Sequence, residues 1–102
     1  PYSISDNAVI YTLPNEGWTH RVMGSFSNHL VSTNKDLACA IAVLNSDGTY
    51  RISVRSSINN PYGAGNLCKN FGGGGREKAG GINNLSASDM NTFKEEFEKV
   101  FA

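Results

Sequence analysis

Two stretches carry the residues best suited to holding an anion. "YRISVRSS", residues 50–57, brings Arg55 and Ser56; "NFGGGGREKAGG", residues 70–81, sets Arg76 and Lys78 among six of the chain's eleven glycines. A guanidinium presents a planar fork of donors that can take two phosphate oxygens at once. Glycine permits positive φ in a tight turn, or lets backbone come close to a ligand with no Cβ in the way. The run Gly72, Gly73, Gly74 and Gly75 is therefore open to three readings: a flexible tether, a purely structural turn, or an anion-binding loop.

The flanks weaken the first. Leu67, Cys68 and Phe71 precede the glycines at the spacing of a short helix, and Ile82 and Leu85 follow in a stretch that can return as a strand, so the loop lies inside a fold. Known phosphate-loop patterns do not match. A P-loop needs Lys followed by Ser or Thr, which Gly80-Gly81-Ile82 does not offer, and G-x-G-x-x-G fails in register. Successive glycine amides could still curl into a concave nest, with the turn from Arg76 to Ala79 adding free N–H groups.

Bond-breaking chemistry has little to stand on. His20 and His29 are nine apart on an expected helix, half a turn out of phase, so they cannot share a metal ion from one helix face. Glu95, Glu96 and Glu98 read as a solvated helix face, and no Ser-His-Asp arrangement stands out. Cys39 and Cys68, in apolar company with no C-x-x-C pair, read as buried free thiols. No catalytic and no metal-binding residue is assigned in this chain, and no cofactor is expected within it.

Formal charge is zero, which counts against gripping nucleic acid by bulk attraction. The sum hides a gradient. Residues 50–80 hold Arg51, Arg55, Lys69, Arg76 and Lys78 against Glu77, a net +4, and the rest of the chain carries −4. With 39% apolar and 18% charged residues the composition is that of an ordinary folded domain, so disorder is not expected. No apolar run approaches the ~20 residues that cross a bilayer. A soluble, cytoplasmic domain with no membrane contact is the expectation, and Pro1 in place of Met reads as a piece cut from a longer polypeptide.

The elements that must position these residues follow from periodicity. "AVIYTL", residues 8–13, reads as a strand stopped by Pro14. Val22, Met23, Phe26, Leu30 and Val31 fall at helical intervals. "LACAIAVL", residues 37–44, is a continuous apolar run and predicts a central strand buried on both faces. "NSDGT" supplies a hairpin turn into Tyr50–Arg55, whose Tyr50, Ile52 and Val54 face one way and Arg51, Ser53 and Arg55 the other. Ser86 and Asp89 offer a capping box for a last helix with Met90, Phe93, Phe97, Val100 and Phe101 as its apolar stripe. The sum is a compact single α/β domain over residues 1–102: a mixed β-sheet of about four to five strands with three helices packed on it.

With both stretches in view, the chain resembles the DHH-associated domain, type 1, the C-terminal domain of many DHH-superfamily phosphoesterases such as oligoribonucleases, phosphoadenosine-phosphate phosphatases and exopolyphosphatase-like proteins. Related domains end alanyl-tRNA synthetases. The family pattern of hydrophobic-Ser-hydrophobic-Arg-Ser followed by Phe-Gly-Gly-Gly-His-x-x-Ala-small-Gly is similar to Ile52–Ser56 and to Gly72–Gly75, Arg76, Ala79, Gly80 and Gly81. Arg76 stands where that family usually has His, and a guanidinium cannot shuttle protons near neutral pH.

The resemblance implies a substrate-binding domain in which Arg55, Ser56, Gly72, Gly73, Gly74, Gly75, Arg76 and Lys78 hold the phosphate of a nucleotide, short oligonucleotide or polyphosphate. It implies a partner too, an N-terminal DHH catalytic domain in the same chain carrying a divalent metal, commonly manganese; a homodimer is open to it. The alternatives are a non-catalytic module binding tRNA or single strands, and a structural or dimerising domain whose glycines only turn the chain.

Overall fold

The computed structural model describes residues 2–5, 7–13, 25–26 and 28–101. A mixed sheet forms the frame, and its centre is the apolar run anticipated from the sequence. Strand β1 is Tyr2–Ser5, β2 Ala8–Leu13, β3 Ala38–Leu44 and β4 Tyr50–Arg55; between β2 and β3, residues 28–33 are helical (α1). Helix α2 (Ala64–Lys69) leads to the two-residue strand β5 (Gly74–Gly75), then β6 (Ala79–Leu85) and α3 (Met90–Phe101). The order across the sheet is β1-β2-β3-β4-β6-β5. Five strands of four to seven residues make up its body, and the glycine pair adds a short sixth at one edge.

β2 and β3 pair in parallel across the α1 crossover; the other neighbours are antiparallel. Six of the seven β3 residues are buried, as a strand covered on both faces requires. The β3–β4 hairpin turns as "NSDGT" predicts: Gly48 sits at φ 88, its amide bonds Asn45 O at 3.1 Å, and the Asp47 carboxylate accepts from the Thr49 hydroxyl and amide.

The two faces of the sheet differ in residue size. On one, Ala38, Ala40 and Ala42 of β3 join Ala8, Ile10, Ile52, Val54 and Ile82 beneath α2 and α3. These small side chains leave room for Phe93, Phe97 and Phe101 of α3, whose rings run in series with centroids 6.1 and 5.0 Å apart. On the other face Ile41 and Val43 pack with Tyr11, Leu13 and Phe26, and the Tyr11 and Phe26 rings meet edge to face at 5.2 Å.

Several expectations shift in detail. β1 and β5 were not legible, because "YSIS" is short and Gly-Gly has no strand preference of its own. The Ser86 hydroxyl accepts from Ser88 N rather than Asp89 N, since residues 87–89 wind as a 3₁₀ turn before α3 begins. Val100 is exposed at the rim of the α3 stripe, against Gly63. Both cysteines are buried thiols, not joined in a disulfide. Val22, Met23, His20 and the Pro14 strand stop lie outside the described residues. No helix among the described residues is long and apolar enough to cross a membrane.

Candidate functional site

Alternation along β4 delivers the polar face that the sequence promised. Ile52 and Val54 point into the core, and Ser53 and Arg55 point to the opposite face of the sheet. Register then determines what lies beside them: Ser53 pairs with Gly81, Arg55 with Ala79, and Gly74 of the edge strand with Gly81. Directly paired residues in antiparallel strands share a face. Ser53, Gly81 and Gly74 thus make one row almost without side chains, and Arg55 and Ala79 the next.

The result is an open hollow of about 440 Å³ with Ser53, Arg55 and Arg76 as polar walls and Gly74, Gly75 and Gly81 as floor. A second hollow of about 320 Å³ shares Arg55 and Ala79 and continues past Lys78 to Val31, Ile58 and Pro61. Arg55 is the wall between them. Its Nε is buried and has no hydrogen-bond partner. An ion pair of Lys99 with Glu96 at 3.4 Å lies away on α3. A buried guanidinium nitrogen without an acceptor is costly, and an incoming anion would relieve that cost.

The glycines divide by the alternation of the sheet. On the core side, a Cβ on Gly80 would stand 2.9 Å from both Ala64 O and Cys68 Sγ, and one on Gly73 would stand 2.0 Å from Gly81 O. These glycines let α2 and the neighbouring backbone approach. Gly75, at φ 142, is required by its own conformation and by Ala79 O, 2.4 Å from where its Cβ would be. Gly74 is different: its φ is not in the left-handed region and a Cβ would meet nothing within 4 Å. The chain itself does not require glycine there.

Part of the expected nest of amides is engaged within the chain. Gly72 N donates to Lys69 O, Gly73 N to Cys68 O and Arg76 N to Ala79 O, so these amides are satisfied within the chain. The first amides of α2 are likewise engaged, Ala64 N by Glu77 O at 3.1 Å and Gly65 N by Arg76 O at 2.8 Å. The hairpin tip 76–78 is thereby bolted to the helix, and the cradle consists of bare Cα surface walled by guanidinium groups. Ser56 is buried, with its hydroxyl 2.8 Å from Glu77 O and 3.0 Å from Tyr62 O. Gly72 and Gly73 flank the hollow rather than line it, and Lys78 lies on the side of the second hollow. Sequence reasoning missed Ser53, Ala79, Gly80 and Gly81 as part of the site's surface; their alternation with the buried Ile52 and Val54 was the available signal for Ser53.

No three His, Cys, Asp or Glu side chains among the described residues converge as a metal site, and His29 is exposed on α1. Cys68, beneath Gly80, has its thiol pushed up to about 11 by burial, which keeps it protonated and unreactive at neutral pH.

The sequence-family model for the DHHA1 domain matches residues 5–102. This chain belongs to the DHHA1 domain family. No curated protein matches its sequence significantly. Among solved structures, the DHHA1 domain here is similar to the C-Ala domain of Aquifex aeolicus alanyl-tRNA synthetase, with a TM-score of 0.75 at 13% identity, covering 96% of this chain and 94% of that one. It is also similar to the pGpG-specific phosphodiesterase PggH of Vibrio cholerae, with a TM-score of 0.64 at 14% identity over 96% of this chain. The domain spans 34% of that phosphodiesterase chain. At such identities the likeness is one of fold.

Proposed function

We propose that this DHHA1 domain holds the phosphate-bearing part of a substrate, a nucleotide, short oligonucleotide or polyphosphate, for a DHH phosphoesterase domain N-terminal to it in the same polypeptide. The observation that carries this reading is the buried, unpartnered Nε of Arg55 between two hollows on the β4–β6 part of the sheet. A phosphate seated over Gly74 and Gly81 meets no side chain beneath it, and Arg55 and Arg76 supply charge from the walls. Lys78 adds a cation at the rim of the adjoining hollow. Ser56 acts by anchoring the tip that carries Arg76 and Lys78, and Gly72, Gly73 and Gly75 shape that loop.

Hydrolysis in this reading belongs to the other domain, together with its divalent metal, manganese being the expected ion. Arg76 contributes charge and no proton transfer, because guanidinium does not titrate near neutral pH. The test is titration of the full-length polypeptide with a short oligonucleotide or phosphoadenosine phosphate. Arg55→Ala is expected to weaken binding about tenfold or more, as loss of a charged hydrogen-bonding partner does. Unchanged affinity and turnover would remove Arg55 from the site.

A second reading is favoured by the match to nearly the whole C-Ala domain: a nucleic-acid-binding module with no catalytic partner. It requires affinity that falls steeply with salt and grows with strand length. The formal net charge of zero weighs against it.

A further inference from the structure

Gly65 is a glycine that its own backbone does not require. It is the second residue of α2, its φ is outside the positive range, and inside a helix alanine is the more stabilising residue. The reason lies across the chain. A Cβ on Gly65 would stand 2.6 Å from Gly75 O and 2.7 Å from both Arg76 O and the Gly75 carbonyl carbon, backbone atoms that cannot rotate aside. The close approach lets Gly65 N donate to Arg76 O at 2.8 Å, beside the bond from Ala64 N to Glu77 O at 3.1 Å. Gly65 itself is buried and lines neither hollow. The two guanidinium groups of the glycine-floored hollow are thus held by different bodies: Arg55 stands on β4, and Arg76 on the tip seated against α2.

We infer that Gly65 is a positioning residue of the phosphate site: by seating the first turn of α2 on the carbonyls of Gly75 and Arg76, it sets where the Arg76 guanidinium stands relative to Arg55. This rests on the phosphate-holding role proposed above for the hollow. A side chain at position 65 separates helix from tip, breaks both amide-to-carbonyl bonds and swings Arg76 away, although no atom of residue 65 touches the ligand. Linkage makes the effect reciprocal. If seating of the tip favours the anion, a bound anion must favour the seating by the same factor. A ligand over Gly74 and Gly81 therefore tightens the Ala64 and Gly65 amides, which it does not touch.

The experiment titrates the full-length polypeptide with inorganic pyrophosphate, without added divalent metal. Under conditions where circular dichroism shows the variant folded, Gly65→Ala is expected to weaken binding on the order of tenfold, the scale of one charged hydrogen-bonding partner. Arg76→Ala should do the same, and the two together should cost no more than either alone, while Arg55→Ala still adds its own loss to Gly65→Ala. Native affinity in folded Gly65→Ala overturns the inference, because a purely structural glycine lowers only the urea midpoint. So does a loss that Arg76→Ala deepens in full, because Gly65 then acts through something else. Should Gly65→Ala fail to fold, hydrogen exchange in the native sequence decides: saturating pyrophosphate should slow the Ala64 and Gly65 amides, and unchanged rates overturn the inference. The two layers separate through the arginines. If Arg55→Ala weakens binding and Arg76→Ala does not, the phosphate site stands and Gly65 loses its role. If neither weakens it, the phosphate-holding reading falls, and the positioning role with it.

Discussion

The hydroxyl of Ser56 lies 2.8 Å from the carbonyl oxygen of Glu77, twenty-one residues further along the chain. The backbone repeats the link, Ser56 N donating to Lys78 O at 2.9 Å. The residue after Arg55 therefore clamps the hairpin tip bearing Arg76 and Lys78, and in the binding role proposed above it acts by position. Ser56→Ala leaves Glu77 O and Tyr62 O without this donor, at a cost of roughly 1–3 kcal/mol in folding stability. Urea denaturation measures that cost, and amide shifts at residues 76–78 should move most.

Arg55 is expected to be indifferent or unfavourable for stability. Its buried Nε has no partner, so Arg55→Ala removes a desolvated donor and should leave stability unchanged or slightly raised. Arg55→Lys keeps the charge and loses the fork, and should bind phosphate ligands with affinity between the native protein and Arg55→Ala. A purely structural arginine predicts the reverse, a clear loss of urea midpoint with the alanine variant.

The glycines give opposite outcomes at adjacent positions. Gly75→Ala forces a side chain to φ 142 and against Ala79 O, a strain of about 1–3 kcal/mol or more. Gly74→Ala has open space around its Cβ and should fold within about 0.5 kcal/mol of the native protein. Its methyl group enters the hollow floor, so ligand affinity should fall even though the thermal midpoint holds. Were the glycines there only to turn the chain, Gly74→Ala would leave affinity untouched in the folded protein.

Burial raises the Cys68 thiol from 9.0 to about 11. A raised folded-state value means the neutral thiol is favoured by folding: the stability contribution is whole below pH 9 and is lost as pH rises through about 11. Thiol-reagent labelling at pH 8 should be slow in native protein and fast in urea, and stability should decline across that alkaline window.

Phe97 is fully buried between Phe93 and Phe101. Phe97→Ala should cost about 3–5 kcal/mol, enough to unfold a domain of this size under mild denaturant. Circular dichroism during a urea titration reads this directly.

Much of the frame was legible from local pattern. The uninterrupted apolar run at 37–44 marked the central strand, the Asp-Gly turn marked the hairpin, and alternation at 50–55 separated the core face of β4 from the face carrying Ser53 and Arg55. These features are readable because side-chain direction in a strand alternates with period two, whatever the strand packs against. The loop could be placed inside the fold by its flanks, and the double motif pointed to the family that the sequence-family model confirms.

The division of labour among the glycines was not readable, because it depends on register. Nothing in "GGGG" says that Gly74 pairs with Gly81 and faces the hollow, or that Gly75 has backbone where its Cβ would be. The engagement of the loop amides and of Ser56 was hidden for the same reason, their partners being Lys69, Cys68, Ala79, Glu77 and Tyr62 in the folded chain. Sequence by itself determined which residue types are present and which way each strand alternates. Only the tertiary structure decided which donors remain free, since a hydrogen bond formed at long range leaves no trace in local spacing, and that is what singles out Arg55.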